Sequence, residues 1–189
     1  IAKQTLAALR ASNSTNLVIV SGGRWSGVHD WFAGLQFSNS TEFDDLTDPL
    51  KRTIIEVHQY ADSDYSGTHT TTTGKGCRPA SEFDAKFERL SNWAIENKQT
   101  LFLGEFGVPQ SAECIQTLTH FLELMKNSPW RGWTYWAAGG WWGNYALALS
   151  GPNQTVSPQW EPLKNYFYNP TAPSGASPPK PPAADEANP

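Results

Sequence analysis

The sequence contains no basic stretch, no long apolar run and only two cysteines among its 189 residues. Lys and Arg number 14 and Asp and Glu 18, which gives a net charge of -4 at pH 7. An acidic chain with no cluster of Lys and Arg argues against a nucleic-acid partner. No stretch of about 18 apolar residues is present, which argues against a membrane-spanning helix. The cysteines, Cys77 and Cys114, are compatible with one disulfide or with two buried thiols.

Several motifs that mark common kinds of site are also missing. There is no H-E-x-x-H sequence or cysteine cluster for zinc, and no G-x-G-x-x-G or P-loop for nucleotides. Ser26 and Ser66 do not lie in the G-x-S-x-G setting of a hydrolase nucleophile. Residues 62–69 have the D-x-D spacing of a calcium loop but lack its downstream bidentate glutamate. We therefore expect no metal and no other cofactor.

Aromatic residues, in contrast, are abundant, with nine Trp, six Tyr and nine Phe. A hydrophobic content of 39% and a charged content of 17% suit one globular domain or a large part of one. Tryptophan at this density either packs large surfaces in a core or stacks on a ligand with a flat face, and sugars are one such ligand. We expect several of the nine to belong to the core.

Four short apolar runs alternate with helical patterns. The runs are Leu17–Val20, Thr53–Val57, Thr100–Leu103 and Gly132–Trp136. They are nearly continuous, which is typical of parallel strands buried on both faces. Helical spacing of apolar residues covers Ile1–Arg10, Ser81–Lys98, Glu113–Lys126 and Gln159–Tyr166. Strands that alternate with helices predict βαβ units and a parallel sheet. Residues 1–168 supply about four such units, which suits either the second half of a (β/α)₈ barrel of about 250 residues or a complete four-stranded open sheet.

The residues suited to chemistry follow the strands. They are Gly22–Gly27 after the first strand, His58–Tyr60 after the second, Glu105 after the third and Ala137–Trp142 after the fourth. Ligands of parallel α/β sheets and barrels bind at the carboxyl ends of the strands. The placement therefore predicts one face of the sheet that carries a site.

The tetrad Gly104-Glu105-Phe106-Gly107 is the strongest single candidate. A charged carboxylate at the end of a buried strand is costly unless it is paired or hydrogen-bonded. Glycines on both sides let the backbone turn and let another group approach closely. The alternative is a structural glutamate that caps the next helix or pairs with an arginine.

Glu56, His58 and Tyr60 alternate along the second strand, so their side chains share one face. We expect His58 and Tyr60, at the strand end, to bracket Glu105 on the neighbouring strand. A tyrosine hydroxyl that donates to a carboxylate favours its ionised form, which suits a nucleophile. Glu56 lies deeper and is interpreted as a structural carboxylate. The alternative for His58 is a core histidine with its hydrogen bonds satisfied.

Three segments resemble family 5 glycoside hydrolases, specifically their fungal and bacterial endo-β-1,4-glucanases. His58–Thr68 is similar to the family's H-Q-Y-L-D-S-D-x-S-G-T segment, and Leu101–Phe106 to the strand that carries its nucleophile. Trp136–Tyr145 is similar to W-x-A-G-P-W-W-G-x-Y, with Gly140 in place of the proline. The segments follow the family's order and spacing, and the similarity extends over residues 1–168.

The resemblance implies a (β/α)₈ barrel, of which this chain supplies about the last four β/α units, and cleavage of β-1,4-glucan with retention of configuration. It implies that Glu105 is the nucleophile, that His58 and Tyr60 contact it and the sugar, and that Trp136 is the platform under that sugar. It also implies that Trp25, Trp141 and Trp142 line the cleft. For an extracellular cellulase we expect secretion and a disulfide between Cys77 and Cys114.

Family members carry their acid/base glutamate in an Asn-Glu-Pro segment, which this sequence lacks. The resemblance places that segment ahead of Ile1, so we expect residues 1–168 to be the C-terminal half of a catalytic domain. Residues 169–189, rich in Pro, Ala and Ser, are interpreted as a linker or disordered tail that can lead to a further module. Two alternatives stay open: a carbohydrate-binding fragment without catalysis, and a related enzyme that acts on mannan or xyloglucan.

Overall fold

A computed structural model describes residues 1–68, 76–150 and 155–167. Its centre is a parallel four-stranded sheet in the order β1-β2-β3-β4. The strands are β1 Val18–Ser21, β2 Thr53–His58, β3 Leu101–Glu105 and β4 Trp130–Trp133. The helices are α1 Ala2–Ala11, α2 Asn39–Glu42, α3 Asp84–Glu96, α4 Ala112–Leu124 and α5 Trp160–Lys164. The predicted parallel sheet with alternating helices is therefore confirmed, and because each strand pairs with the next, consecutive loops lie side by side.

Helices α3 and α4 make the crossovers from β2 to β3 and from β3 to β4. The residues that the helical spacing assigned to their inner faces are buried, namely Phe83, Phe87, Leu90, Ala94, Leu118, Phe121, Leu122 and Met125. The Ser111 hydroxyl accepts a hydrogen bond from the Cys114 N–H at 3.3 Å and caps the start of α4. Aromatic rings join the two helices, with the ring centroids of Phe87 and Phe121 5.5 Å apart. The long segment between β1 and β2 contains only short helical turns and α2.

The two faces of the sheet differ, which corrects the expectation that each strand is buried on both. The side chains that face the helices are fully buried, as Val57, Leu101 and Leu103 show at 0% exposure. On the other face Ile19 of β1 is 49% exposed. The reason is that β1 and β4 lie at the two edges of the sheet. Within the described residues the sheet does not close, so its inner face is left partly uncovered.

Strand β4 begins and ends earlier than the sequence pattern indicates. It spans Trp130–Trp133 rather than Gly132–Trp136, because Leu101 pairs with Trp130 and the register then shifts before Leu103 pairs with Trp133. The backbone still follows β3 beyond the strand, since the Trp136 N–H donates to the Phe106 carbonyl at 2.9 Å. Trp136 thus lies past the end of β4, on the side where the predicted site residues gather.

Cys77 and Cys114 form a disulfide, as predicted, and join the segment after β2 to the first turn of α4. No helix among the described residues is long and apolar enough to cross a membrane. The predicted tail, residues 169–189, lies outside the described residues, as does His69 of the 62–69 loop.

Candidate active site

Glu105 is the last residue of β3 and lies between Gly104 and Gly107. Other groups of the protein approach the backbone of both glycines so closely that a side chain would not fit there. A Cβ atom on Gly104 would lie 2.0 Å from the Glu56 carboxylate oxygen Oε1. A Cβ atom on Gly107 would lie 2.2 Å from the Trp136 carbonyl oxygen. Side chains at these positions would displace their neighbours. The expectation that the glycines make room is confirmed, and the groups they admit are Glu56 and the Trp136 backbone.

Tyr60 and His58 both face the Glu105 carboxylate. The Tyr60 hydroxyl donates to Glu105 Oε2 at 2.9 Å, and His58 Nδ1 lies 3.7 Å from the same oxygen. Burial, together with the negative charge of Glu105, raises the pKa of the Tyr60 hydroxyl, so it stays protonated as a donor. Gly67, at φ +74°, packs against the Tyr60 ring, where a Cβ atom would lie 2.7 Å from a ring carbon. The spacing of residues 58 and 60 predicted this grouping.

Glu56 continues this chain of contacts on the other side of His58. Its Oε1 lies 2.6 Å from His58 Nε2, and its Oε2 accepts a hydrogen bond from the Ser21 hydroxyl. Burial opposes the ionisation of Glu56, but the hydrogen bonds from His58 and Ser21 outweigh it and lower its pKa. Burial likewise opposes the charge on His58, but Glu56 and then Glu105 raise the His58 pKa. His58 therefore stands between two carboxylates.

A cleft of about 300 Å³ opens beside Glu105, His58 and Tyr60. Its remaining wall comes from Arg24, Trp25, Gly27, His29, Asp30, Asp64, Tyr65 and Ser66. Sequence reasoning singled out the loop Gly22–Gly27 but missed His29 and Asp30, which follow it. A contact between distant parts of the sequence brings His29 and Asp30 to the cleft. The Val28 N–H donates to the His58 carbonyl at 2.9 Å, so this loop lies over the end of β2.

The far wall of the cleft is a stacked arrangement around Tyr65. The His29 and Tyr65 rings stack with centroids 4.3 Å apart, and the Arg78 guanidinium lies 4.3 Å from the Tyr65 centroid. Burial lowers the His29 pKa, although Asp30 opposes this. Arg78 also donates to Glu82 Oε1 at 2.6 Å. The wall is thus held by residues next to the disulfide at Cys77.

The tryptophans divide into core and surface groups. Trp31, Trp93 and Trp130 are buried. Trp25 lines the cleft with 89% of its surface exposed. Trp136 and Trp142 form an edge-to-face pair with centroids 5.0 Å apart, and Trp142 lies against Tyr145 at 5.1 Å. Trp141 is 93% exposed, and among the described residues it does not line the cleft beside Glu105, nor do Trp136 and Trp142.

Comparison with known proteins identifies the architecture. Residues 1–140 match the family model of the cellulases, glycosyl hydrolase family 5. The chain belongs to this family. The solved family 5 structures that it matches are (β/α)₈ barrels, and the chain covers about half of each. The predicted fold class is therefore confirmed.

Three family 5 relatives show the extent of the similarity. Endoglucanase 1 of Robillarda sp. (strain Y-20) is 36% identical over 137 residues, which are 72% of this chain and 34% of the relative. A crystal structure of an endo-β-1,4-glucanase from Xanthomonas axonopodis pv. citri has a TM-score of 0.78 and 34% identity, and the match covers 87% of this chain and 52% of that one. The structure of XacCel5A in complex with cellopentaose has a TM-score of 0.79 and 36% identity, and the match covers 88% of this chain and 53% of that one.

The family 5 chain thus spans between a third and about half of the length of these relatives. The edges and the partly uncovered inner face of the described sheet are consistent with this partial coverage. In a closed barrel β1 and β4 pair with further strands, and the inner face is filled by side chains from all of them.

Proposed function

We propose that this chain provides the nucleophile half of a retaining endo-β-1,4-glucanase, with Glu105 as the nucleophile. The observation that carries the proposal is the hydrogen bond from the Tyr60 hydroxyl to Glu105 Oε2 at 2.9 Å. Both this bond and the contact with His58 are made to Oε2. Among the described residues, Oε1 is therefore the oxygen that remains for a sugar.

The reaction proceeds in two steps at the anomeric carbon. In the first step a Glu105 oxygen bonds to the anomeric carbon, and the bond between that carbon and the bridging oxygen breaks. A second carboxyl group protonates the departing oxygen. Water then gives a proton to the second group and bonds to the anomeric carbon, and the Glu105 carboxylate leaves. Tyr60 and His58 hold the carboxylate in place throughout.

The second carboxyl group belongs to the part of the barrel that this chain does not contain. Retaining enzymes place their two carboxyl groups about 5–5.5 Å apart. The other carboxylates beside the cleft have partners of their own: Glu56 contacts His58 and Ser21, Asp64 accepts a hydrogen bond from the Ser66 hydroxyl at 2.8 Å, and Asp30 pairs with Arg24 at 2.7 Å. A general acid typically contributes about 10²–10⁴-fold to the rate, so the complete barrel is the catalytic unit.

The aromatic residues suit a glucan as the substrate. We assign Trp25 as a wall of the cleft, Trp136 as the platform under the sugar at the cleavage point, and Trp141 and Trp142 as a sugar-binding surface that continues beyond the cleft beside Glu105. The exposed rings of Trp25 and Trp141 and the half-buried rings of Trp136 and Trp142 offer apolar faces to the C–H faces of sugars. The cellopentaose bound in XacCel5A supports a β-glucan oligosaccharide as the ligand class. The disulfide supports secretion, since such bonds persist in oxidising compartments.

The test is made in the complete barrel, meaning the full-length protein or a fusion of this chain to the missing strands of the matched Xanthomonas enzyme. Glu105→Gln is expected to abolish hydrolysis of soluble cellulose and to leave binding of cellopentaose largely intact, because it removes the chemical step alone. Trp136→Ala is expected to weaken both binding and turnover, since stacking persists into the transition state. Glu96→Gln, on the exposed end of α3, is the control for the loss of one charge.

A second measurement separates a nucleophile from a general base. With Glu105→Gly and an activated aryl β-cellobioside, added azide is expected to restore turnover and to give the α-glycosyl azide, because azide occupies the vacated position and attacks from that face. If Glu105→Gln keeps substantial activity, the nucleophile assignment is wrong. If the unmodified complete barrel binds cellopentaose but hydrolyses nothing, the protein is a carbohydrate-binding module.

A further inference from the structure

Glu56 has no part in the two steps above, yet its carboxylate lies against His58 in a position that contacts from three sides fix. We propose that Glu56 is a positioning residue, which fixes the His58 ring and keeps it cationic so that the second ring nitrogen presents an N–H to the nucleophile. The inference rests on the proposed role of Glu105. The juxtaposition that carries it is Glu56–His58–Glu105, with N···O separations of 2.6 Å and 3.7 Å.

The position of Glu56 is determined from three sides. Ser21 lies opposite Glu56 in the β1–β2 register and donates its hydroxyl to Oε2. The Ser26 hydroxyl donates to the Glu56 carbonyl at 2.5 Å. On the β3 side, the missing side chain of Gly104 makes the space that the carboxylate occupies. The donor on one oxygen and the imidazole on the other offset the burial of the Glu56 charge and fix the side of the His58 ring that faces Glu56.

The contacts of the two ring nitrogens decide which form of His58 suits the site. Nε2 lies 2.6 Å from a Glu56 oxygen and must carry a proton there. A neutral ring would then direct the bare lone pair of Nδ1 at Glu105 Oε2, 3.7 Å away, which is repulsive. A cationic ring carries an N–H on both nitrogens and attracts both carboxylates. Burial disfavours the cation, but Glu56 outweighs it and raises the His58 pKa.

The cation matters most when the Glu105 carboxylate is released. In the second step Glu105 leaves the anomeric carbon and regains its negative charge, which an adjacent imidazolium stabilises. Loss of the His58 proton would remove that charge and turn the contact repulsive. In this step the second carboxyl group acts as a base, so its own titration does not limit the rate at high pH. We therefore assign the alkaline limb of kcat, measured where the second step is rate-limiting, to His58, at a pH that Glu56 sets.

Other groups that bear on His58 come from the elements around it. Tyr60 follows it on the same segment and Glu105 faces it from β3. The loop after β1 places the Gly27 backbone beside His58 and contributes Arg24, His29 and Asp30 to the same cleft. The hydrogen bond at 2.6 Å is specific to Glu56, so a change at Glu56 is the selective test.

The experiment is Glu56→Gln in the complete barrel, with Glu96→Gln as the matched control. Glutamine keeps the size and an oxygen that accepts from His58 but carries no charge. The titration of the His58 ring, followed by imidazole ¹H–¹⁵N NMR without substrate, is expected to move to a midpoint at least about one pH unit lower. With an activated aryl β-cellobioside, for which the second step limits kcat, the alkaline limb of kcat is expected to move with it, while activity on the acid side changes little. The control is expected to leave both unchanged.

Three outcomes decide the matter. If Glu56→Gln lowers activity equally at all pH values and leaves the His58 midpoint unchanged, Glu56 is structural and the inference is wrong. If Glu56→Gln does not fold, Glu56→Asp, which keeps the charge but sets it further from the His58 ring, should shift the midpoint in the same direction by less, and no shift there overturns the inference. A shift of His58 in a barrel that hydrolyses no glucan would refute the proposed function and leave the Glu56–His58 coupling intact.

Discussion

Gly104 matters at the residue scale because the absence of a side chain there lets Glu56 lie against β3. The register of the sheet places Gly104 next to the inner face, where the carboxylate of Glu56 occupies the space of a Cβ atom. A strand glycine usually weakens a sheet, and one use of such a glycine is the close approach of another group. Here that group is the residue we assign to the support of His58.

We expect Gly104→Ala to destabilise the complete barrel by about 1–3 kcal/mol, the usual cost of overpacking a filled site. The new methyl group would displace Glu56 and hence also lower the midpoint of the His58 titration. Urea unfolding and the NMR titration of His58 measure the two effects. The control is Gly140→Ala, because a Cβ atom at Gly140 meets no atom within 4 Å. Equal unfolding midpoints for the two variants would contradict the explanation.

At the scale of elements, an ion pair connects α1 to the start of β2. Arg10 donates to both Asp48 oxygens, from Nε at 2.9 Å and from Nη2 at 2.8 Å. Asp48 also accepts from the Thr53 hydroxyl at 2.8 Å, and its side chain is only 3% exposed. Hydrogen bonds from Arg10, and then from Thr53 and the backbone, hold the Asp48 pKa well below its usual range against the effect of burial.

A depressed carboxyl pKa contributes stability above the unfolded-state value, about 3.9 for Asp, and this is lost as the pH falls through the folded-state value. Asp48→Asn is therefore expected to lower the free energy of unfolding at pH 7 by about 2 kcal/mol, the usual contribution of hydrogen bonds to a charged group. The difference from the unmodified protein should narrow below about pH 4. Urea midpoints at several pH values test this, with Asp44→Asn, exposed in the same segment, as the control. A difference that is independent of pH would show that the charge of Asp48 does not matter.

The segment after β2 is the second element whose position depends on distant contacts. Arg78 stacks on Tyr65 and pairs with Glu82, and the neighbouring Cys77 is bonded to Cys114 of α4. The same segment carries Gly67 against the ring of Tyr60. The orientation of the residue that contacts Glu105 is thus linked to the packing of α4.

At the scale of the whole molecule, both edge strands expose backbone groups that find no strand partner within the described residues. β1 and β4 end the sheet, and Leu17 and Ile19 beside the β1 edge are 52% and 49% exposed. Unpaired edges and uncovered apolar residues favour association with another chain. A complete barrel removes both edges.

We expect a polypeptide of residues 1–189 not to hydrolyse cellulose and to be dimeric or poorly soluble, with one half-barrel substituting for the missing strands of the other. Light scattering coupled to size exclusion gives the mass, and reducing-sugar release from soluble cellulose gives the activity. Robust activity of a monomer would contradict this expectation. It would mean that the acid lies within the chain, and Glu56 and Asp64 would be the first residues to replace.

The sequence by itself determined the parallel sheet, the inner faces of α3 and α4 and the grouping of Glu105 with His58 and Tyr60. These depend on local periodicity and on the rule that the carboxyl ends of parallel strands share one edge. Helical spacing decided which residues of α3 and α4 are buried, and alternation along β2 decided which residues face Glu105. The resemblance to family 5 also depended on local sequence, because three short segments carry it.

Only the tertiary structure decided which groups meet across sequence distances that carry no periodic signal. The contact of Ser21 with Glu56, the stack of His29 on Tyr65 and the early end of β4 depend on the register between strands and on loop packing. The uncovered face of the sheet was also decided by the tertiary structure. An apolar run indicates that a strand suits burial on both faces, but it does not indicate whether other parts of the protein cover those faces. Local preferences set the elements, and long-range contacts set the site.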